Sequence, residues 1–210
     1  AELARERGAG HEHVHGLWTA LADPRVLLLC AIYFFVVVGL YGITIWLPQI
    51  FQSMGFSNSA TSMLVAVPYA VAAVAMVAWG RHSDLTGERV WHVALGSLLG
   101  AFGFALAASV SAQAVVLVAL TLVAVSVCAT LAPFWAIPPT FLAGTAAAGG
   151  IALINAVGNL GGFAGPYAMG WAREETGSYV LGLAILAVSM AIAAALVLAL
   201  GRFRRPAFAS

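Results

Sequence analysis

The sequence contains no lysine, and across two long stretches, 26–80 and 90–172, it contains no Asp, Glu, Lys or Arg. Charged residues make up 8% of its 210, against roughly 25% in an ordinary soluble domain, so a water-soluble globule is excluded. The only cysteines, Cys30 and Cys128, fall inside apolar runs. A thiol there behaves as a small hydrophobe, and no disulfide framework is expected. The runs also lack the two-residue alternation of a lipid-facing barrel strand, so helices are left to satisfy the backbone in lipid. No charged segment leads into a short apolar one at the start, so no signal peptide is expected. The chain opens on Ala1 with a polar tail and reads as the interior of a longer sequence.

What the chain has in abundance is apolar length. Hydrophobic residues make up 62%, in runs of about the 20 residues that cross a hydrocarbon core of roughly 30 Å. Punctuation by Gly, Pro and charge predicts six spans: 26–48, 60–80, 90–108, 114–137, 146–172 and 179–201. Asp23 followed by Pro24 marks the first helix start, a capping carboxylate before a residue whose missing donor does no harm there. An even number of spans puts both ends on one side. That side carries Arg5, Arg7, Arg25, Arg81, Arg89, Arg202, Arg204 and Arg205, and the other carries only Arg173, so both termini are expected in the cytoplasm. The all-Arg, Ala- and Gly-rich composition resembles GC-rich bacterial coding, which suggests a bacterial cytoplasmic (inner) membrane. Residues 1–16 then form a cytoplasmic polar tail, part of a central loop, 17–204 the six-helix bundle and 205–210 the C-terminal tail.

A shift of ninety positions lays Pro48 on Pro138, Gly80 on Gly170, Asp84 on Glu174, Thr86 on Thr176 and Gly87 on Gly177. The chain reads as two three-helix units, and because three is odd the second is inserted upside down, the inverted repeat of secondary transporters. Coincidence among Gly- and Pro-rich loop ends is the alternative. Spans three and six are bland, while spans one, two, four and five hold Tyr, Trp, Thr, Asn and Pro. The third helix of each unit is therefore expected at the periphery.

The loop 80–89 resembles the repeated cytoplasmic loop of the major facilitator superfamily, Gly-x-x-x-Asp-Arg-x-Gly-Arg-Arg. Gly80, Asp84, Gly87 and Arg89 match, whereas Leu85 and Glu88 stand where the pattern has Arg. The resemblance implies a gating latch, and a solvated loop that only fixes topology is the alternative. Pro133-Phe134-Trp135-Ala136-Ile137-Pro138, the run from Gly149 to Pro166 and Trp46-Leu47-Pro48 are similar to the anion:cation symporter family within that superfamily, over about 17–201. The fold class implied is an all-α membrane protein, the C-terminal six-helix half of a major facilitator fold.

Read from the residues alone, Asn155, Asn159, Gly162 and Pro166 share one helical face, and two amides in hydrocarbon each cost several kcal/mol unless bonded. Pro166 also frees the Gly162 carbonyl. That face should line water, ligand or another helix. Gly158 with Gly162, and Gly161 with Gly165, make small-xxx-small pairs that favour close packing. Substrate contact is implied by the resemblance for Asn155 and Trp135, with interface anchoring the alternative for Trp135. For Asn159, helix packing competes with ligand contact. Tyr41 shares a face with Thr44 and Pro48 and is a further candidate.

No span carries an acid or a base in its interior, although a carrier of anions needs a cation and proton coupling needs a desolvated carboxylate or His. The family supplies these chiefly from its N-terminal half. The expectation is therefore half of a secondary transporter that moves a small organic anion (a sugar, hydroxy or aromatic acid) with protons by alternating access. The alternative is an efflux carrier for drugs or neutral solutes. The partners expected are the anion, protons, the missing half and lipid; no nucleic acid, cofactor or metal is expected. An intramembrane protease would need a Ser and a His inside the bundle, and all five His lie outside or at its edge. His11, His13 and His15 could share a face only in an extended tail.

Overall fold

The structure, a computed structural model, describes residues 22–203. The tail histidines, Arg5, Arg7, Arg204, Arg205 and the expected domain edges lie outside them. Helices follow in the order α1 (Pro24–Ser53), α2 (Asn58–Thr86), α3 (Val90–Ser109), α4 (Gln113–Trp135), a 3-10 turn (Pro138–Thr140), α5 (Gly144–Asn159), α6 (Gly161–Thr176) and α7 (Val180–Phe203). By length and composition they make six membrane spans, α4 joining the 3-10 turn and α5 joining α6 in single crossings.

The starts of α1 and α2 are capped as their sequences dictate. The Asp23 carboxylate accepts from the Arg25 backbone N–H at 2.8 Å, and the Ser57 hydroxyl accepts from the Ala60 N–H at 3.3 Å. The Arg25 side chain also donates to Asp23, which holds that carboxyl below its ordinary range. A lowered carboxylate stabilises the fold above its unfolded value and loses that contribution as pH falls.

Three helices overrun their expected ends, among them α6, which runs past 172 to Thr176. Pro48 lies inside α1, which continues to Ser53, because one proline deletes only one donor and the helix has residues on both sides to hold it. α2 continues past Gly80 to Thr86, since charged residues leave lipid without leaving the helix. It stops at Gly87, whose φ of +65° closes the end at little steric cost. Span five differs in kind: it is broken at Leu160, whose N–H reaches back only three residues to Val157. Gly158, Gly161 and Gly162 weaken the helix there, while Pro166 sits within α6.

The ninety-residue repeat reappears in local geometry. Gly177 ends α6 with a φ of +68°, matching Gly87. The Thr86 hydroxyl donates to the His82 carbonyl at 3.0 Å, and Thr176 donates to Ala172 at 2.6 Å. The units part at the prolines. Pro138 follows the end of α4, where Pro139 removes a second consecutive donor, whereas Pro48 stands alone in α1. The Gln113 amide donates to the Met54 carbonyl at 2.7 Å, so the second unit starts at the end where α1 finishes, inverted relative to the first.

The units interlock. α1 packs mainly on α6 and α7 of the second unit, and α4 packs on α2 and α3 of the first. The third helices, expected at the periphery, pack extensively on each other, Gly100 lying against Met190 and Gly201 against Val90, while Gly39 of α1 also meets Met190. Their outer faces, with Trp91, Phe102 and Val188, are exposed and apolar. α2 and the α5–α6 pair are the open elements: 11% and 22% of their apolar stretches are buried, against 56% for α1.

The tightest seam joins α1 to α5 and α6. A Cβ at Gly158 would stand 2.7 Å from Tyr33 Cγ, at Gly161 2.9 Å from the Val38 nitrogen, and at Gly165 3.1 Å from the Gly42 nitrogen. Gly162, by contrast, meets only the Tyr41 ring at 3.3 Å. Gly165→Leu must therefore push α6 off α1 and is expected to cost more than the 1–3 kcal/mol usual for overpacking, whereas Gly162→Ala stays within about 1 kcal/mol. Thermal unfolding in detergent compares the two; equal losses would contradict the seam.

Candidate functional site

Helical spacing aligns Tyr33, Tyr41, Thr44 and Pro48 along one side of α1. Four other elements, α4, α5, α6 and α2, meet α1 along this strip. At one end Tyr33 stacks on Phe134 of α4 at 5.2 Å and takes Trp135 edge-on at 4.9 Å, with Gly158 of α5 beneath it. Further along, the Tyr41 ring lies against Gly162 of α6. Beyond it Tyr69 of α2 donates its hydroxyl proton to Thr44 at 2.9 Å, and Thr44 donates to the Leu40 carbonyl at 2.7 Å.

Exposure along the strip decides what is available. Tyr33 is buried, Trp135 half-buried, and Tyr41, Thr44, Asn155 and Asn159 are exposed. The Asn159 amide donates to the Asn155 side-chain oxygen and to its carbonyl, both at 2.8 Å, so the two amides form one unit. That unit leaves the Asn155 N–H2 and the Asn159 oxygen to face outward. The strip thus offers neutral hydrogen-bonding groups and aromatic faces. Among the described residues it offers no acid, base or arginine, and no cluster of three metal-ligating side chains occurs.

Trp135 owes its position to local chain chemistry. Pro133 lies inside α4, and the helix ends at Trp135 before Pro138 and Pro139, so the ring projects from a last turn that cannot continue. Pro166 has its own partner: its carbonyl accepts from the Trp46 indole N–H at 3.1 Å, which ties α6 to the far half of α1. Next to it, the Arg173 guanidinium stacks 4.3 Å over Tyr179, whose ring meets Trp46 edge-on. Tyr33 and Tyr69 are the site residues sequence reasoning missed. The signal was that Tyr69 is the one phenol of α2 and that Tyr33 stands eight residues before Tyr41 on the same face of α1.

The loop between α2 and α3 closes on itself. Arg89 pairs with Asp84 at 2.6 Å and donates to the Ser83 hydroxyl at 2.9 Å, and Ser83 donates to the Glu88 carbonyl at 2.7 Å. Glu88 in turn caps α3, accepting from the Trp91 N–H at 2.8 Å. Gly80 lies against Ala132 of α4, and Leu85, where the family pattern has Arg, is 75% exposed. Because Asp84 is 69% exposed, its ion pair is worth under about 1 kcal/mol. Ser83, fully buried and bonded twice, should matter more. Ser83→Ala is expected to cost about 1–3 kcal/mol and Asp84→Asn less than about 1, read from unfolding midpoints; the reverse order would contradict this account.

Residues 2–166 match the model of the Major Facilitator Superfamily. A putative tartrate transporter of Agrobacterium vitis is 47% identical over 188 residues, which cover 90% of this chain and 42% of that protein. A quinolone resistance transporter of Acinetobacter baumannii is 38% identical over 172 residues, 81% of this chain and 40% of its own length. The inner membrane transport protein RhmT of Escherichia coli is 33% identical over 183 residues, 86% and 42% of the two chains. The chain thus spans less than half the length of these relatives.

Proposed function

We propose a transport role from one premise: the chain belongs to the Major Facilitator Superfamily, a family of membrane transporters and not of enzymes. It is a multi-pass membrane protein. Our reading is that it forms the C-terminal half of a secondary transporter for a small organic anion, a hydroxy acid such as tartrate above all. The observation that carries this reading is the neutral strip along α1, combined with 47% identity to a protein named for tartrate.

In this reading Asn155 and Asn159 hydrogen-bond the hydroxyl and carboxylate oxygens of the solute, and Trp135 closes over its carbon skeleton. Tyr41 adds a phenol from α1. The cation that balances the solute's charge, and the carboxylate or His that carries a coupled proton, belong to a companion six-helix half. The exposed faces of α2 and α5–α6 are where that half docks, and residues 1–16 belong to the linker that brings it there. Rocking of the two halves about the strip gives alternating access. The Arg-rich end, with Arg25, Arg81, Arg89 and Arg202, faces the cytoplasm, which supports a bacterial inner-membrane location with both termini inside.

A second reading has its own support. Efflux of an amphipathic drug suits a cavity wall without charge, and a quinolone resistance transporter is 38% identical. Uptake of radiolabelled tartrate into proteoliposomes holding the complete transporter, competed with hydroxy acids and with a quinolone, separates the two. Competition by hydroxy acids alone is expected; competition by the quinolone alone favours efflux.

Two outcomes test the division of labour. The six helices alone should give no uptake until the companion half is supplied, and robust uptake by them alone would refute it. In the complete transporter, Asn155→Ala and Trp135→Ala should each raise the KM for the anion about tenfold to a hundredfold, the scale of a lost hydrogen bond to a charged ligand. An unchanged KM would remove these residues from the site.

A further inference from the structure

At the Arg-rich end, α2 and α3 are joined by a chain of titratable side chains that the transport strip does not use. Nδ1 of His82 lies 2.8 Å from Nε2 of His92, and Nδ1 of His92 lies 3.3 Å from a Glu88 carboxylate oxygen. The ring centroids of the two imidazoles are 5.0 Å apart. Trp79 covers the pair, its ring 4.9 Å from His92 and 6.2 Å from His82, and its indole N–H donates to the His92 carbonyl at 3.2 Å. His92 is 7% exposed, whereas His82 reaches the surface.

From this geometry we propose that Glu88, His92 and His82 form a proton-binding site that keeps the α2–α3 joint closed while it holds at most one added proton. The logic is that of a single shared hydrogen. A nitrogen–nitrogen contact of 2.8 Å requires one N–H and one lone pair. Glu88 favours a hydrogen on Nδ1 of His92, which leaves Nε2 of that ring to accept from Nδ1–H of His82. The first added proton enters on the exposed Nε2 of His82, so the shared hydrogen bond survives and becomes charge-assisted. A second proton has only Nε2 of His92 to occupy. Two N–H groups then face each other, two like charges sit side by side, and the contact opens.

The neighbouring charges set the balance. Arg81 and Asp84 lie on α2, and Arg89 is engaged with Asp84 and Ser83. α3 brings no other charged group near the pair, and α4 carries none at all. From α7, Arg202 follows Gly201, which packs on Val90. Among the described residues Glu88 is thus the one carboxylate in contact with the pair, enough to compensate one imidazolium and not two.

The test uses histidine-labelled protein in lipid nanodiscs and needs no transport assay, so it stands or falls apart from the functional reading. At pH 7.5 a nitrogen–nitrogen coupling across the hydrogen bond should link His82 and His92. It should persist in EDTA and vanish below the pH at which the second proton binds. Over the same range, amide exchange protection of residues 83–92, corrected for intrinsic rates, should fall at least tenfold. His82→Gln supplies a neutral amide that cannot take up a proton, and it should keep that protection at pH 5. Absence of the coupling, its loss on chelation, or the same loss of protection in His82→Gln would overturn the proposal.

Discussion

In lipid a helix gains nothing by hiding apolar surface from its neighbours' solvent, so two spans stay together only where their backbones approach closely or where polar groups meet. Gly158, Gly161 and Gly165 provide that approach to α1, and Gly96, Gly100 and Gly103 provide it between α3 and its neighbours α4 and α7. Both seams cross from one three-helix unit to the other. The interlocked arrangement therefore follows from where glycine is placed, and it decides which faces remain uncovered. α1 is drawn into the bundle on the side that carries Ile32, Val36, Ile43 and Leu47, and its Tyr41–Thr44 side is left open.

That open side is polar without being charged, which fixes what it can do. Amides, phenols and an indole bind by direction and shape. They cannot neutralise an anion, and they cannot carry a proton at ordinary pH. A wall of this kind fits a site whose electrostatics come from the opposite wall. The charges this chain does have are gathered at the helix ends, where Asp84, Arg89, Ser83 and Glu88 brace one turn and Arg173 rests on Tyr179 at the other end. In the proposed reading, binding chemistry and conformational hardware thus occupy separate depths of the same helices.

The spans were legible because the hydrocarbon core imposes a length and forbids charge, and both show directly in composition. The loop glycine Gly87 was legible for a related reason, since a tight end after a long helix needs a residue at ease with positive φ. Helix ends were not, because apolar length marks the edge of lipid rather than the edge of the helix, as Thr86 and Ser53 demonstrate. Pro48 misled as a helix end, and Pro166, read as lying inside span five, is tolerated within α6, while the break in that span comes at Leu160 amid three glycines. Spacing also paired Gly158 with Gly162, but only Gly158 of that pair lies on the close seam, because the break at Leu160 turns α6 relative to α5. The His82–His92 contact joins residues across a turn, and no periodicity within one helix reveals such a pair.

The central claim is that the strip bearing Tyr41, Asn155 and Asn159 borders water shared with a second half, while Leu98, Phe102 and Val188 border lipid. Single cysteines at these six positions in the complete transporter, with Cys30 and Cys128 replaced by serine, can be challenged with a charged thiol reagent in native membranes. The account predicts that positions 41, 155 and 159 react, that solute protects 155, and that 98, 102 and 188 stay silent. Silence at 155 together with reaction at 102 would contradict it.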